Sequence, residues 1–263
     1  MLNRLSRPKA LALCALPAIA LLAITALAPL PFSVAQPGPT TNVLGTSDGK
    51  PVIKISGAGT RDTSGQLRAV TILATGPDAP IHLSDVLDSW FRDDRAVMPR
   101  DAVYPAGDST REIERHNQRE MKGSQDAATE AALGYLGDRG DDVRVSLQLG
   151  DVGGPSAGLL FSLGIVDMLD GDGSGGDLTG GRSIAGTGTI DAGGKVGAVG
   201  GVSMKVQAAD RDGATVFLVP KAECADAKAS APSSMRLVPV TTLKGAVTAL
   251  THLEKKTGAV PAC

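Results

Sequence analysis

The chain has 263 residues, which is one large domain or two small ones. Its 26 basic and 28 acidic side chains give a net charge of −2 with no basic run beyond the N-terminus, so there is no concentrated positive face for nucleic acid. One Trp, two Tyr and four Phe are too few for a base-stacking or sugar-stacking platform, and 33 Gly with 16 Pro imply many turns rather than a helical bundle.

Residues 1–9 carry Arg4, Arg7 and Lys9 and no acid, and no charged side chain follows until Asp48. Within that stretch residues 10–28 are apolar apart from Pro17 and Thr25. At ~1.5 Å per residue such a helix is just long enough for a bilayer core. The expectation is a cytoplasmic start at 1–9 and a transmembrane anchor or signal segment at 10–34. The rest of the chain then lies outside the cytoplasm, in a single-pass cell-membrane protein. The competing reading is a cleaved signal peptide, cut after Ser33-Val34-Ala35. Cys14 falls in the apolar segment. Cys224 and Cys263 lie in the extracytoplasmic part, where a disulfide between them would tie down the C-terminal tail, residues 254–263.

Residues 36–59 are rich in Pro, Gly and Thr, with one strand-like run at 52–55. Residues 68–74 (RAVTILA) read as another strand. A helix is expected from about Ser84, taken as its N-cap, with Val86, Leu87, Trp90 and Phe91 at helical spacing. Residues 108–136 form a long helical pattern, and GDRGDD at 137–142 is the clearest break. The expected division is an N-terminal region at 36–142 and a second domain at 143–253. That second domain opens with an alternating strand, VRVSLQL at 143–149, and continues with an apolar helix at 159–169. A short hairpin follows, turning at Asp191-Ala192-Gly193-Gly194, then a helix at 203–210 and strands at 214–219 and 237–240. The last helix is capped by Thr241 or Thr242. Helices packed on a mixed sheet, an α/β (α+β) architecture, are implied.

Gly154-Pro155-Ser156-Ala157-Gly158 places small residues around a serine between strand and helix. This geometry presents the Ser156 hydroxyl and leaves amides at a helix N-terminus to hold an oxyanion. The same residues also fit a plain Gly-rich turn with Ser156 as an N-cap. A nucleophilic serine needs a base, and two candidates exist. His252 would serve an esterase of the α/β-hydrolase type. Lys205 opens an otherwise apolar stretch (KVQAA) that would desolvate its amine and lower its pKa. Two other patterns fail on residue grounds. Asp170, Asp172 and Ser174 resemble a calcium loop, but its twelfth position is Gly181 rather than Glu. Gly193-Gly194-Lys195-Val196 lacks the spacing and the Ser/Thr of a phosphate-binding loop. No metal site and no cofactor are expected.

In ordered blocks, residues 143–253 resemble the proteolytic domain of Lon-type serine proteases. GGPSAG at 153–158 is similar to that family's nucleophile motif, and GTGTIDAGGKVGAVGGVSMK at 186–205 to its second motif. The resemblance implies the compact Lon proteolytic fold and a serine endopeptidase acting on protein substrates. It further implies a Ser156–Lys205 catalytic dyad, oxyanion support from Gly154 and Ala157, and Thr187 hydrogen-bonded to the lysine. The upstream blocks 30–45, 97–106 and 121–125 resemble membrane-anchored extracytoplasmic Lon-like proteases that usually carry a PDZ domain. Here residues 137–142 pass straight into VRVSLQL, where that PDZ domain would be inserted. The carboxylate that many Lon enzymes have three residues before the serine is replaced by Gly153, with Asp151 nearby. The expected enzyme is ATP-independent, since no ATPase module is present, and a homo-oligomer is compatible with the resemblance. A non-catalytic cell-envelope scaffold is the remaining alternative.

Overall fold

The computed structural model describes residues 7–104, 109–140, 142–148 and 154–263. Arg4, Asp151 and Gly153 lie outside them. In chain order the first elements are α1 (Arg7–Leu27), β1 (Phe32–Asn42), the short β2 (Thr46–Ser47) and β3 (Lys50–Pro51), β4 (Ile53–Ser56) and β5 (Gln66–Ala74). Then come α2 (Leu83–Trp90), β6 (Ala96–Pro99), the single turn α3 (Arg100–Val103), α4 (Thr110–Leu136) and β7 (Arg144–Leu147). The remainder is α5 (Gly158–Leu169), β8 (Ser183–Gly186), β9 (Thr189–Ile190), β10 (Val196–Gly197), α6 (Val202–Arg211), β11 (Val216–Pro220), α7 (Cys224–Ser230), β12 (Arg236–Val240) and α8 (Leu243–Lys255).

Two compact units divide the chain: Met1–Gln36 with Ala74–Thr110, and Pro37–Leu73 with Arg111–Cys263. In the larger unit the strand order is β12-β11-β8-β5, followed by β1. The pairs β11–β12, β11–β8 and β5–β8 are all parallel. Parallel strands need helical crossovers, and α6 and α7 supply them on either side of β11. A separate antiparallel pair joins β4 to β7, with Ile53 opposite Leu147. The α/β architecture with helices on a mixed sheet is therefore what the chain forms. Its central helix is α5: Leu159, Leu160, Phe161, Leu163, Ile165 and Val166 are all fully buried. A helix apolar all round belongs in the middle of a core.

Elements before residue 143 pack with those of 143–253: β4 pairs with β7 across the 137–142 break, and Ser162 on α5 donates to the Ala128 carbonyl of α4. One expectation needs correction. The helix expected from Ser84 starts at Leu83 with His82 in the cap position. There Asp85 accepts from the His82 N–H, and Trp90 and Phe91 are exposed rather than packed inward. Within the segment 10–34, α1 stops at Leu27 and Phe32 already belongs to β1. Among the described residues no helix is long and apolar enough to cross a membrane.

In the smaller unit, the start of β1 pairs antiparallel with β6, from Phe32 opposite Pro99 to Ala35 opposite Ala96. The Val34 N–H donates to Thr75 Oγ1, and the Thr75 N–H donates back to the Val34 carbonyl. Ser33, Val34 and Ala35 are consequently buried.

Candidate active site

The turn bearing Ser156 is built from its neighbours. Gly154 adopts φ 103°, in the region that favours glycine. Pro155, Ser156 and Ala157 then form one 3-10 turn that runs directly into α5. Pro155 has no N–H, so Gly154, Ser156 and Ala157 supply the turn's amides. The next two are engaged elsewhere: Gly158 donates to the Pro155 carbonyl and Leu159 to the Gly188 carbonyl at 3.1 Å.

Two neighbouring elements fix the turn. Ser124, buried on α4, donates its hydroxyl to the Pro155 carbonyl at 3.0 Å. From the residues after β8, the Gly188 N–H at 3.0 Å and the Thr187 hydroxyl at 3.3 Å both donate to the Ser156 carbonyl. Gly158 is required by this close approach, because a Cβ there would lie 3.0 Å from both Ile190 Cγ2 and Ser124 Oγ. Ser124 was missed as a site residue in the sequence. Its one signal was a serine on the apolar face of an otherwise charged helix.

Lys205 lies in the first turn of α6, its N–H donating to the Gly201 carbonyl at 3.1 Å. It is 5% exposed. Burial lowers its amine to about 8, while the Glu223 carboxylate opposes the shift. Helix α6 packs against β8, the strand that delivers Thr187. The lysine and the Ser156 turn are thus tied through the same strand. Thr187 is fully buried, and its hydroxyl proton is directed to the Ser156 carbonyl; the oxygen's lone pairs remain as acceptors.

His252 sits on the last turn of α8, with Nδ1 3.3 Å from the Ala259 carbonyl of the tail. Cys224 and Cys263 are disulfide-bonded, Cα to Cα 5.3 Å. The hairpin is formed by β9 and β10, Ile190 opposite Val196, and Asp191 Oδ1 accepts from the Lys195 N–H in its turn. The acidic loop after α5 closes on itself. Asp172 accepts from the Ser174 and Gly176 N–H groups and pairs with Lys255 at 3.1 Å. Burial pushes that carboxyl up, but the N–H donors outweigh it and hold the group well below the usual carboxylate range. An open cavity of about 310 Å³ lies beside the turn, lined by Arg119, Glu120 and Gly123 of α4 together with Pro155 and Ile190.

A serine held on a pinned turn at the head of a buried helix, in the same unit as a lysine with a depressed pKa, is a constellation for acyl transfer. Residues 140–253 match the Lon protease (S16) C-terminal proteolytic domain, a little under half of the chain that includes Ser156 and Lys205. The segment is a Lon-type proteolytic domain, and the enzyme is a serine-type endopeptidase with protein substrates. No curated relative matches the chain.

Proposed function

We propose that this chain is a membrane-tethered endopeptidase with a Ser156–Lys205 dyad that works without nucleotide. Lys205, as the neutral amine, takes the Ser156 Oγ proton while Oγ attacks the substrate carbonyl carbon. Amides of Gly154, Ser156 and Ala157 hold the resulting oxyanion. The ammonium of Lys205 then gives its proton to the leaving amine, the C–N bond breaks, and an acyl-enzyme is left. Water, deprotonated by Lys205 in turn, releases the product acid. Thr187 accepts from the ammonium and fixes its direction.

The single observation behind this reading is the burial of Lys205 on a helix packed against the strand that leads to the Ser156 turn. A solvated lysine holds almost no neutral amine at neutral pH; lowering it to about 8 leaves about a tenth of Lys205 neutral at pH 7 and more as pH rises, which is the form that can act as a base. His252 is a weaker candidate base, since its ring already faces the Ala259 carbonyl. Tethering is supported by the cationic N-terminus and the apolar α1, and an extracytoplasmic active site by the disulfide.

The test is intact-mass labelling of the purified protein by a fluorophosphonate, together with cleavage of an unfolded protein in the absence of ATP. One adduct on Ser156, lost together with cleavage in Ser156→Ala, is expected. Continued cleavage by Ser156→Ala removes the nucleophile assignment, and strict nucleotide dependence removes the autonomous reading.

A further inference from the structure

The smaller unit carries an apolar surface that proteolysis does not use. On α1, Leu11, Leu16, Ile19, Leu21 and Ile24 are each more than half exposed. At about 100° per residue these five positions point in five directions spread around the helix axis. A helix that docks in a protein groove shows one apolar stripe, whereas one apolar on every side matches a medium that surrounds it, which α1 need only enter and not cross. The one hydroxyl along its second half is satisfied within the helix, Thr25 Oγ1 donating to the Leu21 carbonyl at 2.9 Å. Hydrocarbon demands this of any polar group.

A second exposed apolar group sits where α1 ends. Just past the helix, the Leu30 N–H donates to the Ile81 carbonyl at 2.7 Å, and α2 starts two residues beyond Ile81. On α2, Leu87 and Trp90 are 51% and 80% exposed, and Phe91 at its C-cap is 84% exposed. Spacings of three and four put them on one side of the helix. Charged residues flank them: Arg95 pairs with Asp88 at 2.7 Å and Arg92 with Asp94 at 3.2 Å. An aromatic cluster at the mouth of an all-round apolar helix, bordered by ion pairs, has the make-up of a headgroup belt.

We propose that α1 and the Leu87–Trp90–Phe91 face of α2 form one lipid-facing surface, with Trp90 and Phe91 seated at headgroup depth. This rests on the membrane-tethered reading above and adds to it a second contact that fixes α2 against the bilayer.

Trp90 is the only tryptophan in the chain, so its fluorescence reports the contact without labelling. The full-length protein is reconstituted in phosphatidylcholine vesicles and floated on a density gradient. Its emission is then read with lipids brominated high or low on the acyl chain, and with aqueous acrylamide. The expected result is flotation, blue-shifted emission, severalfold stronger quenching by the shallow bromines than by the deep ones, and protection from acrylamide. In Leu87→Ser/Phe91→Ser the emission should move back towward that of a water-exposed indole while flotation persists. Flotation with Trp90 fully open to acrylamide overturns the belt and leaves the tether standing. Failure to float overturns both. Protection of Trp90 that instead follows protein concentration without lipid, with elution as a dimer, gives the surface to a second copy of the chain and also overturns the proposal.

Discussion

Lys205 is the residue on which rate and stability make opposite demands. If it is the base, kcat/KM should rise with pH through about 8, the value to which burial lowers its amine. Lys205→Arg should be inactive, because guanidinium keeps its proton. A flat alkaline profile or an active Arg variant would point to another base. Stability carries the same signature. Between pH 8 and 10.5 the unfolded chain holds a proton that the folded chain has released, so stability rises with pH across that window. Below it the buried charge weighs in full, at about 3 kcal/mol from the size of the shift. Lys205→Met should therefore be dead yet more stable at pH 7, by roughly 1–3 kcal/mol in urea titrations. The gain should vanish above pH 10.5. A structural lysine would give the opposite result, losing stability at every pH. That Ser156 stands on a turn leading into an apolar helix and Lys205 on a helix of its own was legible in the sequence, because each sits in a run of small or apolar residues. Ser124 was not, since its partner, the Pro155 carbonyl, comes from 31 residues along the chain.

Helix α4 sets the opening beside the nucleophile turn through the absence of a side chain at Gly123. A Cβ built there meets nothing within 4 Å, and the residue lines the cavity next to Pro155. Gly123→Leu should fill that space and also stabilise the helix, by about 1 kcal/mol from propensity alone. The expected outcome is an unchanged or higher Tm and unchanged labelling by a small fluorophosphonate. kcat/KM should fall about tenfold for peptides with bulky residues next to the scissile bond, relative to peptides with Gly or Ala there. Equal losses for all peptides would show that the cavity does not receive substrate. The elements themselves were readable where their signal is local: α5 from its continuous apolar run, the β9–β10 hairpin from Asp191 and its glycines, α8 from Thr242, whose hydroxyl accepts from the Gly245 N–H. β1 was not. Its Pro37, Gly38 and Pro39 read as loop, yet they lie in an 11-residue strand. Pairing with β6 covers only Phe32–Ala35, so the two prolines fall beyond it, where a missing donor is tolerated on that side. No local pattern carries that information.

At the scale of the molecule, the chain is fastened near both ends. The Cys224–Cys263 bridge closes a separation of 39 residues, which in the chain-entropy model stabilises by about 4 kcal/mol. Cys263→Ser should lower stability by up to that amount under oxidising conditions and should equal the wild type once both are reduced. The N-terminal fastening decides between a retained helix and a removed signal. Cleavage after Ala35 would sever β1 between residues that pair with β6 and residues that continue toward Asn42. It would take away Val34, which exchanges two hydrogen bonds with Thr75, together with the buried Ser33 and Ala35. β6 would then lose all four of its register partners. A backbone edge left without its ladder and apolar cover is destabilised well beyond the loss of a single contact. The protein purified from its native cells should accordingly keep residues 1–35, as read by intact mass. A chain begun at Gln36 should show early protease nicking within residues 74–110, while Ser156 in the larger unit still takes up the serine probe. A mature protein that starts at Gln36 and resists nicking there would mean that the strand is dispensable and that the segment before it is a leader.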